Sequence, residues 1–133
     1  MSKKEAILNT LNALEMKHGI LRSEDVVREA KHPKSPLHSW FEWDNTRAAQ
    51  AHRLWQARQL ITRVKIEVLD GKEVDAFWNA HVEIDNQKVR GYFSTKRMLA
   101  DEDIYASVLK DAVDEIKYWQ KKYKQVQELK TLI

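Results

Sequence analysis

The spacing of apolar residues changes period twice along this chain, and that switch narrows the folds open to it. From Glu5 to Val64 apolar side chains recur at helical intervals, from Val64 to Ser94 they alternate with a period near two, and from Asp101 the helical interval returns. Helices, then a small antiparallel sheet, then a long helix is an α+β arrangement, mostly helical. Only 3 Gly and 2 Pro interrupt it, and charged residues at 32% beside hydrophobic residues at 43% suit a packed, helix-rich fold rather than a disordered one.

The first helix is expected over residues 5–17, EAILNTLNALEMK, where Ile7, Leu8, Leu11, Ala13 and Leu14 share a face and Gly19 follows as a C-terminal cap. Ser23 is expected to cap a short second helix, EDVVREAK, with Glu24 and Asp25 in its first turn where the macrodipole favours acids. His32-Pro33 ends it. Ser35-Pro36 restarts a short helical piece that runs to about Trp43, with Leu37, Trp40 and Phe41 plugging the core and Trp43 pointing elsewhere. Asp44 is the expected cap of a long helix, with Trp43 stapled onto Ala48. In it Leu54, Ala57, Ile61 and Val64 form an apolar stripe, while His52, Gln56, Gln59 and Arg63 form an opposing polar face without an acid.

In the strand-period block, Asp70-Gly71 and Asp85-Asn86 read as hairpin turns, and Gly91 marks a bulge or a close backbone approach. Beyond Asp101, apolar residues at Tyr105, Leu109, Ala112, Ile116, Trp119, Tyr123, Val126 and Ile133 alternate four and three, broken only at Lys130. That is a coiled-coil-like seam, whose aromatics favour packing on the chain's own domain over a strict parallel zipper. Residues 1–94 thus form one region, winged-helix-like with a hairpin wing, and 95–133 a long C-terminal helix for packing or oligomerisation.

Helix, helix, longer helix, hairpin is the order of a winged helix-turn-helix, in which the third helix enters the major groove. On that reading residues 45–64 are the recognition helix, and His52, Gln56, Gln59 and Arg63 supply base contacts, since glutamine pairs with adenine and arginine with guanine. Arg47, Arg58, Lys88 and Arg90 would hold phosphates. Residues 1–65 carry 12 Lys+Arg against 7 Asp+Glu (+5) and residues 66–133 carry 11 against 13 (−2), which together give the net +3. A basic N-terminal half suits a polyanion. The same pattern also describes an ordinary amphipathic core helix. The connection 32–43 exceeds a simple helix-turn-helix turn, and Glu67, Glu73, Asp75, Glu83 and Asp85 near the wing would repel phosphate.

Other chemistry finds little support. With no cysteine, disulfides and thiolate sites are excluded. His38 and Glu42 are four apart, a spacing metal ligands use, but no third ligand lies in sequence reach. His81 and Glu83 share one strand face, as solvent-facing pairs do. No phosphate loop, serine elbow or paired-acid signature is present, so no enzyme activity, cofactor or metal is expected. No run of about 18 apolar residues exists, so no membrane span is expected, and the N-terminus lacks a signal-peptide core. A cytoplasmic location fits. A second surface combines Tyr118, Trp119 and Tyr123 with Lys117, Lys121, Lys122 and Lys124, a mix that can stack on single-stranded nucleic acid or simply flank a seam. His38, Glu42 and Trp43, with Tyr118, Lys121 and Lys122, form the candidate partner surface, and a homodimer through the last helix is the corresponding oligomeric expectation.

The stretch GILRSEDVVREAKHPKSPLHSWFEWDNTRAAQAHRLWQARQLI, residues 19–61, carries the pattern VV-x-x-A, SPLH-x-x-FEWD, AA-x-x-x-R and QAR-x-LI. It resembles a family of small bacteriophage and prophage proteins, and DAVDEIKYWQKKYKQVQELK is similar to that family's C-terminal segment. The resemblance spans roughly residues 19–130. It implies a phage or prophage origin and a cytoplasmic role in the infected cell, and it brings no catalytic or binding residue with it. DNA binding is the first expectation for this chain, and binding of a host or phage protein is the alternative.

Overall fold

A computed structural model of the protein describes residues 2–43 and 47–132, with the side chains at positions 47 and 48 excepted. Ser2 caps the first helix, α1 (Lys3–His18), by accepting the Glu5 N–H, and Ile7, Leu11 and Leu14 turn its apolar face inward. Gly19 closes it in the left-handed conformation, φ 75°, donating its N–H to the Glu15 carbonyl at 2.7 Å. Glycine adopts that φ without the steric penalty a Cβ brings.

The two residues after Gly19 place the first helices on the sheet. Leu21 exchanges two backbone hydrogen bonds with Tyr92, at 2.9 and 2.8 Å, and so adds one antiparallel bridge to the edge of a hairpin seventy residues away. This extended step moves the next helix start. Helix α2 (Ser23–Ala30) has Arg22 at its N-cap with no side-chain cap, and Ser23, expected as the cap, is already a buried helical residue. The cap is lost because Arg22 is still extended when it leaves the bridge.

The connection that follows holds only one 3-10 turn, His38–Trp40, instead of a helical piece reaching Trp43. Ser35 does accept the Leu37 N–H at 3.2 Å, but the Phe41 backbone is already extended. Leu37 and Phe41 are buried and Trp40 packs beside them, so these three fill the core as their spacing required. The expected cap Asp44 and the staple contact at Ala48 lie outside the described residues. Helix α3 (Arg47–Arg63) buries Ala57, Leu60 and Ile61 against α2, with Leu54 and Val64 half-buried at the edge of the same core.

Two separate hairpins come next. Strands β1 (Lys65–Glu67) and β2 (Glu73–Asp75) pair across the Asp70-Gly71 reversal, where both residues have positive φ. Strands β3 (Phe77–Ile84) and β4 (Gln87–Ser94) pair in unbroken register around Asp85-Asn86, with φ of 52° and 65°, the signature of a two-residue type I′ turn. Gly91 sits opposite Ala80 in that register, so it makes no bulge. It is glycine because a Cβ there would lie 2.7 Å from two Ile20 side-chain carbons and 3.0 Å from the Leu21 carbonyl oxygen.

A second core lies under this hairpin: Ile20, Ala80, Phe93, Met98 and Ile104, with Trp78, Val82, Val89 and Val108 around it. Met98 comes from α4 (Thr95–Ala100) and Ile104 from α5 (Glu102–Thr131). The C-terminal helical block is therefore two helices, broken at Asp101, whose carboxylate caps α5 by accepting the Asp103 and Ile104 N–H groups at 2.9 and 3.1 Å. Thr95 ties the junction: its hydroxyl donates to the Asp75 carbonyl at 2.6 Å and accepts from the Trp78 indole N–H at 2.9 Å. Arg97 lies over the Phe93 ring and donates to the Gly19 carbonyl, and buried Glu15 accepts the Ser94 N–H at 2.5 Å, so α1 and β4 are held at both levels.

Helix α5 does not fold back on the body as its aromatic seam predicts. It is tied to β3 by Ser107, which accepts the His81 N–H at 2.9 Å, and then every residue from Leu109 to Leu132 is exposed. The result is a mostly helical α+β fold with two small antiparallel hairpins, from which the long C-terminal helix projects.

Candidate nucleic-acid interface

The polar face of α3 divides into two parts once the connection is in place. Gln56 accepts the Glu42 N–H at 3.4 Å, and the Arg63 guanidinium lies 5.5 Å from the centre of the Trp40 ring. Both side chains therefore face the chain's own connection. His52 and Arg63 are exposed and Gln59 is half-exposed. The face most open to solvent is rotated from the predicted one and runs through Ala51, His52, Trp55, Arg58 and Thr62. Trp55 is 52% exposed with His52 stacked on it at 5.7 Å. Sequence reading passed over Trp55, although its place off the apolar stripe marked it as surface.

Trp43, His38 and Glu42, singled out as a partner surface, form a clasp between the connection and α3. The His38 ring stacks on Trp43 at 5.1 Å, nearly parallel, and its Nδ1–H donates to the Ala30 carbonyl at 2.7 Å. The Trp43 indole N–H donates to the His38 carbonyl at 3.0 Å. Buried Arg53 sets its guanidinium 5.0 Å from the Trp43 ring centre and donates to the Glu42 carbonyl at 3.1 Å. These contacts hold the long connection against the helix.

The basic residues converge elsewhere. Arg22 at the start of α2, Arg58 on α3 and Arg90 on β4 line one cleft of about 320 Å³, together with Ser23, Glu24, Asn79, Gly91 and Tyr92. Arg58 and Arg90 were predicted as phosphate contacts from sequence. Arg22 was not, and its signal is electrostatic: a cation at a helix N-terminus faces the positive end of the macrodipole. Arg90 also donates to Asn79 Oδ1 at 3.3 Å, and none of the three arginines makes an ion pair among the described residues. Arg47's side chain lies outside the described residues. Lys88 faces Glu83 directly across the hairpin, which offsets its charge.

The remaining surfaces offer less. A shallow groove of about 760 Å³ between the hairpin and α5 mixes Glu83, Asp103 and Asp111 with Lys88, Arg90 and Lys110, so it presents no single sign of charge. Among the described residues no group of three or more His, Asp and Glu could hold a metal ion, and no helix is long and apolar enough to cross a membrane. On α5, Tyr118 meets Trp119 edge to face at 5.6 Å, and Lys122 lies over both rings, with Lys121 exposed beside them.

The chain matches no protein-family profile, no curated protein and no solved structure. What stands is the class its own geometry defines: a mostly helical α+β protein with a cleft lined by three arginines.

Proposed function

We propose that this protein is a non-enzymatic DNA-binding accessory or regulatory protein of phage or prophage type, acting in the bacterial cytoplasm with α3 directed at duplex DNA. The observation that carries this reading is the convergence of Arg22, Arg58 and Arg90 from three separate elements beside the open face of α3. Guanidinium groups pair bidentately with phosphate, and three of them around one helix can straddle a groove. His52, Gln59 and Thr62 then reach base edges, where glutamine suits adenine. Gln56 and Arg63 support that face from behind by holding the connection, and Lys88 contributes weakly because Glu83 opposes it.

Fluorescence anisotropy with a labelled duplex at low salt tests the proposal. The wild-type chain should bind, and Arg58→Glu should weaken binding at least roughly tenfold with the fold unchanged by circular dichroism, since it reverses a phosphate-facing charge. No binding to any duplex at low salt would overturn it. A second reading, binding of a host or phage protein, draws on the exposed aromatic half of α5. It predicts a partner that co-purifies with the intact chain and is lost when the helix is cut before Tyr118.

A further inference from the structure

Thirty residues of α5 are helical, yet from Leu109 onward none is buried. Nine large apolar side chains on this helix are 43–66% exposed, among them Leu109, Ile116, Trp119, Tyr123 and Val126. A helix with that much apolar surface and no tertiary partner is marginal in water, because packing of its apolar face supplies most of a helix's stability. Something covers this seam, and its charges indicate what. Residues 101–115 hold six acids and one lysine (−5), and residues 116–132 hold five lysines and one acid (+4). A second copy of the same helix running the opposite way matches both halves at once.

We infer that α5 mediates a two-fold antiparallel coiled-coil dimer, independent of whether the protein binds DNA. The heptad places Leu109, Ile116, Tyr123 and Lys130 at a, and Tyr105, Ala112, Trp119 and Val126 at d. In an antiparallel pair a faces d, and one register aligns every layer. Leu109 meets Val126, Ile116 meets Trp119, Tyr123 meets the small Ala112, and Lys130 reaches past Tyr105 at the ends, where its ammonium stays in water. The flanking g positions agree with this register. Glu115 of one copy lies opposite Lys122 of the other, and Val108 opposite Leu129, each twice by symmetry. Tyr105 and Leu109, 43% and 46% exposed, leave the seam open even where α5 rests on β3, so pairing runs over residues 105–130, about 39 Å of helix. A parallel in-register pair would instead stack Trp119 on Trp119 and Lys130 on Lys130, and would set acid against acid.

The absence of cysteine makes the orientation measurable. Sedimentation of the full chain should give a dimer, twice 15.7 kDa. Spin labels at Glu128→Cys should lie about 32 Å apart along the dimer axis and those at Asp114→Cys about 10 Å, from the 1.5 Å rise per residue. Glu115→Lys should weaken dimerisation roughly tenfold by turning two attractive pairs into two repulsive ones, and adding Lys122→Glu should restore it. Ile116→Asp, at a residue already 57% exposed, should yield a folded monomer. A monomer at all concentrations, equal separations at the two labelled sites, or no rescue by the charge swap would each overturn the inference.

Discussion

Gly91→Ala tests the contact that joins the first helices to the sheet. A Cβ at this position meets Ile20 Cδ1 and Cγ1 at 2.7 Å and the Leu21 carbonyl oxygen at 3.0 Å. Ile20 is 1% exposed and packed in the second core, so it cannot swing aside as a surface side chain would. Overpacking of this kind costs about 1–3 kcal/mol. Against that, replacing glycine where the backbone is compatible gains about 0.4–1 kcal/mol by restricting the unfolded chain. At the midpoints of these two ranges the net expectation is a loss of about 1.3 kcal/mol, at about 4 °C in Tm per kcal/mol for a domain of this size. Urea denaturation read by circular dichroism measures it. In an Ile20→Ala background both close carbons are gone, and the same Gly91→Ala change should become nearly neutral or mildly stabilising. If Gly91→Ala is neutral in the parent chain, or costs as much without the Ile20 side chain, the close approach of β4 to residues 20–21 is wrong.

Other substitutions probe other joints. Thr95→Val removes the hydroxyl that serves both Asp75 and Trp78 and leaves the indole N–H without its partner, a loss of about 1–3 kcal/mol by urea denaturation; a change near zero would contradict that arrangement. Trp43→Ala and Arg53→Ala should couple by about 1 kcal/mol in a double-mutant cycle, because each side chain loses the other in the clasp. Additive effects would mean that the connection is held by something else.

Local signals in the sequence proved legible where chemistry acts over a few residues. Gly19 ends α1, Asp85-Asn86 turns the β3–β4 hairpin, and Asp101 starts α5, each because a backbone conformation or orphan N–H demanded that residue type. Ser23 misled because the start of α2 is decided by the bridge between Leu21 and Tyr92, a contact that no local pattern announces. Gly91 could be flagged as a bulge or a close approach, but only the position of Ile20 distinguishes the two.

The site was partly legible for the same reason. Arg58 and Arg90 could be picked out as basic residues on the long helix and the hairpin. That Arg22 joins them depends on the extended step after α1. Gln56 and Arg63 looked like base readers because helical spacing sees only one element. The connection that covers them is placed by the contact between Arg53 and Trp43, ten residues apart in sequence. The heptad of α5 was plain, while its freedom from the body was not, since a seam pattern is the same whichever helix fills it.

The salt dependence of duplex binding is the most direct test of the proposed role. Each phosphate contact contributes about −0.9 to the slope of log K against log salt. The combined Arg22→Ala, Arg58→Ala and Arg90→Ala protein should therefore show a slope shallower than the parent's by about 3, one unit per guanidinium lost. A parent chain that binds duplex with the same slope as the triple variant would show that the three-arginine cleft does not hold the DNA.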